Sequence, residues 1–79
     1  MSMKLKAFNQ AIEDYELLVK LDPNPEKVKI PLANAYFERA CDHDRKGEAK
    51  LAIEDLEKAL KINPDYDNAR ELLKMIREK

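Results

Sequence analysis

The chain has 79 residues, 44% of them apolar and 39% charged, with one glycine, four prolines and no tryptophan, a composition that suits one all-helical domain rather than a disordered or membrane-embedded chain. Fifteen Lys and Arg against sixteen Asp and Glu leave a net charge of −1, so no long-range field gathers phosphates or acidic lipids, and neither nucleic acid nor a membrane is an expected partner. No stretch approaches the roughly 18 apolar residues of a membrane span or the apolar core of a signal peptide, and the lone Cys41 cannot form an internal disulfide, so a soluble, cytoplasmic protein is expected.

Leu5, Phe8, Ile12, Tyr15 and Val19 recur at steps of three and four residues, with Asn9, Glu13, Asp14, Glu16 and Lys20 between them. That period predicts an amphipathic helix over 3–21. Ala7, Ala11 and Leu18 widen its apolar stripe, so neighbours are expected on more than one side. Asp22-Pro23 ends it. Asn24 can cap a second helix over 25–41, with Pro25 in its first position and Val28, Leu32, Ala35, Tyr36 and Ala40 facing inward. Pro31 removes a hydrogen bond and crowds the carbonyl of Lys27, which predicts a kink or a loosened first turn.

Cys41-Asp42-His43-Asp44-Arg45-Lys46-Gly47 contains the only glycine and the densest polar cluster, and the chain reversal belongs there. A third helix over 48–62 sets Ala49, Ala52, Ile53, Leu56, Ala59 and Leu60 on one face before Asn63-Pro64. Asp65 or Asp67 caps a fourth over 67–78, with Ala69, Leu72, Leu73 and Ile76 inward. Its outer face and last turn, with Lys74, Arg77 and Lys79, suit solvent and the negative end of the helix dipole. Connections this short make consecutive helices antiparallel neighbours.

The thirteen residues Ala11–Pro23 return at Ala52–Pro64 with seven identities, displaced by 41 residues. Fixed-period self-similarity means that each unit buries its apolar face on a copy of itself. The series Ala11, Tyr15, Leu18, Pro23, repeated as Ala52, Leu56, Ala59, Pro64, resembles the second helix of a tetratricopeptide repeat. Leu32-Ala33-Asn34-Ala35-Tyr36 is similar to the L-G-x-x-Y core of that family's first helix, with Ala33 in place of glycine, and Gly47-Glu48 resembles its turn. The resemblance implies an all-α solenoid of antiparallel hairpins with about four helices: a half repeat at 3–25, a full repeat at 26–66 and a capping helix at 67–79. The family period is about 34 residues, and the extra seven fit between Arg39 and Gly47, as lengthened hairpin arms or as a bulge. Lys29 replaces a large aromatic usual in the family. A period near 41 also suits HEAT or armadillo repeats, but the Ala–large–small–Pro series favours the tetratricopeptide helix.

Cys41 and His43, flanked by Asp42 and Asp44, are metal-ligand types. No other Cys or His exists in the chain, and a structural zinc site needs four ligands, so no metal is expected. Ser2 is the only serine, threonine is absent, and one glycine cannot build a phosphate loop; no enzyme activity and no cofactor are expected. Glu13-Asp14 and Glu54-Asp55 read as a solvated outer face.

The resemblance implies a concave surface that grips a peptide, a helix or a partner domain. Asn34 stands where family members that clamp a terminal carboxylate place an asparagine, but Ile30, Glu71 and Leu72 replace the basic or amide groups of such a clamp. Ile30, Phe37 and Met75 lie off the core stripe, and such a patch usually means contact, unless Phe37 folds back into the core. The expected partner-binding residues are Lys27, Ile30, Asn34, Phe37, Asn68, Glu71 and Met75. The alternative is a structural unit whose open half-repeats stack or exchange into a homodimer, or a repeat fragment, excised or engineered, without an evolved ligand.

Overall fold

The computed structural model describes residues 2–22, 24 and 26–78, with side-chain burial from Ala7 onward. Expectations placed on Pro23, Pro25, Lys79 and the side chain of Leu5 lie outside the described residues. Four helices follow in order, α1 (Ser2–Leu21), α2 (Glu26–Arg45), α3 (Ala49–Ile62) and α4 (Asp67–Glu78), with no strand among the described residues. Each packs on its neighbour in sequence. Arg39 reaches Asn9 while Tyr36 reaches Glu16, and Arg39 meets Asp55 while Tyr36 lies under Lys58. Contacts that rise along one helix as they fall along the next make α1, α2 and α3 successively antiparallel.

The core lies where α2 and α3 meet. Leu56 is fully enclosed, and Ala33, Ala40, Ala52, Ala59 and Ala69 have no exposed surface; side chains this small let helices approach closely, and any added methylene there would meet packed atoms. Ile12, Leu32, Tyr36, Leu73 and Ile76 extend the same cluster into α1 and α4. Ala11, expected to match Ala52 as a close-contact alanine, is only half-buried.

The polar run after Ala40 is helix rather than loop. α2 continues to Arg45, four residues beyond the expected end, and only Lys46-Gly47 turns. Gly47 closes the helix: its amide bonds to the Asp44 carbonyl at 3.1 Å and that of Glu48 to the His43 carbonyl at 2.8 Å, the paired pattern of a Schellman C-cap. Gly47 has φ +79°, where a Cβ would be strained. Pro31 does not break α2, which is helical from Glu26 to Arg45; buried Val28 and Leu32 flank it. α4 starts at Asp67, which joins its first turn and favours the positive end of the helix.

Candidate protein-binding surface

The outer side of α2 is tied to the start of α4 through Tyr66. The Tyr66 ring lies 5.2 Å from that of Phe37, tilted by 38°, and its hydroxyl donates to Asn34 Oδ1 at 2.8 Å. Burial raises the pKa of that hydroxyl, so it remains a donor. Asn34 in turn donates to Glu38 Oε1 at 3.0 Å. Both ends of the exposed amide are therefore engaged, and one N–H and one acceptor lone pair remain for a ligand. Phe37 is half-buried and also packs against the core.

The other expected residues stand apart from this link. Ile30 is 66% and Met75 60% exposed, one on α2 and one on α4, and each of these helices packs most heavily on α3. Lys27, Asn68 and Glu71 are exposed polar side chains on the same two helices. The structure thus brings Asn34 and Phe37 together through Tyr66, a residue absent from the expected set. Its aromatic character just before α4 was the available signal.

A second polar feature was misread. Asp55, expected on a solvated outer face, is buried at 4% exposure, because α2 presents Arg39 to it: Nε bonds to Oδ2 at 2.8 Å and Nη2 to Oδ1 at 2.7 Å. His43, also buried, places Nδ1 2.8 Å from Glu48 Oε1 and Nε2 3.7 Å from Asp55 Oδ2. The readable sign was on α2, where Arg39 and His43 continue the inward row of Leu32 and Tyr36 at helical spacing and so require a buried partner. Tyr36 donates to Glu16 Oε2 at 2.8 Å; burial first, then that bond and the carboxylate charge, push its pKa up to about 12.

Burial pushes the Cys41 thiol up, against the opposing pull of Arg45, which is the reverse of an activated nucleophile. Among the described residues no three His, Cys, Asp or Glu side chains gather as metal ligands, and no helix is long and apolar enough to cross a membrane.

Two successive stretches match the tetratricopeptide repeat, residues 2–25 and 33–66, and together they span most of the chain. The chain belongs to the tetratricopeptide repeat family. The repeat at 33–66 starts inside α2 and ends at Tyr66, so the Phe37–Tyr66 and Arg39–Asp55 contacts are both internal to it. The chain is also similar to sperm-associated antigen 1 of Mus musculus, with 32% identity over 71 residues that make up 90% of this chain and 7% of that protein. It therefore spans a small fraction of that relative's length. No solved structure matches the chain. Tetratricopeptide repeats are interaction modules that bind proteins or peptides, and the chain shares that class.

Proposed function

We propose that the chain is a binding module without a catalytic step, and that it docks a peptide, a helix or a partner domain across the flank presented by α2 and α4. The supporting observation is the exposure of two large apolar side chains, Ile30 on α2 and Met75 on α4. A ligand bridging them gains apolar burial at both ends, roughly 1.5–3 kcal/mol per side chain. Asn34 offers its remaining hydrogen-bonding capacity to a backbone, the open edge of Phe37 adds apolar surface, and Lys27, Asn68 and Glu71 form the rim. Cys41 as a free thiol suits a reducing compartment such as the cytoplasm.

The seven extra residues belong at the start of α2 in this reading. The two family matches leave 26–32 between them, and 33–66 already has the ordinary period of about 34. Lys27 and Ile30 then sit on two added helical turns ahead of the repeat, while Asn34 and Phe37 belong to the repeat itself.

The test is a peptide selected for binding to the whole chain, titrated by calorimetry against Ile30→Asp and Met75→Asp. Each substitution should weaken binding at least about tenfold with the circular dichroism of the free protein unchanged, because both side chains are exposed. Undiminished affinity in both variants overturns the reading. Sedimentation of the free chain separates the competing reading, self-association through this flank.

A further inference from the structure

Helix α2 carries one pattern twice. Leu32, Ala33, Ala35 and Tyr36 are followed seven residues later by Arg39, Ala40, Asp42 and His43. Seven residues are two helical turns to within about 20°, so both sets lie on one face. Both are used. Ala33 and Ala40 have no exposed surface, Tyr36 lies under Lys58, and Arg39 and His43 meet Asp55.

A face that repeats in this way has a second register on α3, two turns or about 10 Å from the observed one. There Leu32, Ala33, Ala35 and Tyr36 take the places of Arg39, Ala40, Asp42 and His43, while α1, which packs on α2, is carried along. Residues 39–47 then form the reversal, and lengthening a loop by seven residues costs little closure entropy. Lys29 comes to the place of Tyr36, from which it extends to solvent, and Glu26 to that of Ala33 in a first turn that can fray. Residue size and apolar character do not decide between the registers. Charge does, because Leu32 over Asp55 would leave the carboxylate buried without its arginine.

We infer that the Arg39–Asp55 fork, with His43 beside it, sets the register of α2 on α3, and that Arg39 and Asp55 are thereby positioning residues for the flank of α2 and α4. A buried ion pair adds little stability over an apolar pair of the same shape, but its partners must meet, and that requirement selects one register. In the observed register Phe37 and Asn34 meet Tyr66 at the start of α4, and Ile30 stays 66% exposed. Two turns away Ile30 stands in the place of Phe37, covered by Tyr66 and displaced relative to Met75. The inference concerns the register and stands whether or not the flank takes the proposed ligand.

The test is Arg39→Leu combined with Asp55→Leu in the whole chain, which removes the charge and keeps the seam packed. Through-space NMR contacts to the Tyr66 ring and amide hydrogen exchange read the register. In the parent, Tyr66 should contact Phe37 and not Ile30. The double variant should add a second set of signals with Ile30 against Tyr66. Its amides from Cys41 to Arg45, released from the helix in the shifted register, should exchange at least about tenfold faster than in the parent, relative to those from Ala52 to Leu60. Adding Ala40→Leu should leave the shifted set alone, because the larger side chain is accommodated only where residue 40 has left the seam. Adding Ala33→Leu instead should lower the melting temperature without selecting a register, since Ala33 is enclosed in both. Phe37 alone against Tyr66 in the double variant or after Ala40→Leu overturns the inference. So does loss of the Phe37 contact without gain of Ile30, because the fork then holds the fold rather than its register.

Discussion

Arg39 holds Asp55 in a two-armed fork, 2.7 and 2.8 Å long, between helices α2 and α3. The arginine side chain is 18% exposed and the carboxylate 5%. The bond to Asp55 outweighs burial and raises the pKa of Arg39, so the guanidinium stays charged. Removing one partner of such a pair leaves a buried charge, at a cost of about 3–5 kcal/mol. Arg39→Leu should therefore remove much of the stability of a domain this small, and Arg39→Leu with Asp55→Leu should recover most of it. Denaturant melts check this; a single variant as stable as the double would show that the fork contributes nothing.

Ala52 tests the close approach of α2 and α3. It has no exposed surface, while Lys50 on the same helix is exposed. Ala52→Leu should cost about 1–3 kcal/mol through overpacking and Lys50→Leu little, and equal melting temperatures would contradict the packing.

Gly47 isolates a backbone term. A Cβ there would meet nothing within 4 Å, yet φ is +79°. Gly47→Ala should cost about 1–2 kcal/mol from conformation alone, and Gly47→Asn less, since asparagine tolerates the left-handed region. A thermal melt in which alanine is neutral would contradict the C-cap.

Tyr36 gives the pH dependence. Its folded pKa of about 12 exceeds the ordinary value of 10.0, so the neutral phenol stabilises the fold fully below pH 10, and this contribution is lost as pH rises toward 12. Ultraviolet titration should find a tyrosine ionising near 12. Tyr36→Phe should lose less stability than the parent between pH 10 and 12; equal losses would sink the assignment.

The helix order and the core were legible because Ile12, Leu32, Leu56, Leu73 and Ile76 recur at helical spacing. The C-terminal end of α2 was not. Ala33 with Tyr36 and Ala40 with His43 offer the same small-then-ring spacing seven residues apart, and all four are buried, so one frame could not be chosen over the other from residue size. Asp55 was missed because a helix wheel reads each acid by its own helix, whereas its burial is decided by Arg39 sixteen residues earlier. Ala11 and Ala52 are identical in sequence and differ in burial because α2 packs over Ala52, whereas among the described residues no helix encloses Ala11 in the same way. For the binding surface, side-chain type flagged Ile30, Phe37 and Met75, but the Tyr66 bridge that engages Phe37 and Asn34 depends on where α4 begins.

Methyl-resolved NMR of the whole chain, titrated with the selected peptide, tests the central claim most directly. A ligand on the α2 and α4 flank should shift the methyls of Ile30 and Met75 together, leaving Leu51 and the α1 leucines Leu17, Leu18 and Leu21 in place. Shifts confined to Leu51 or to the α1 leucines, with Ile30 and Met75 unmoved, would contradict it.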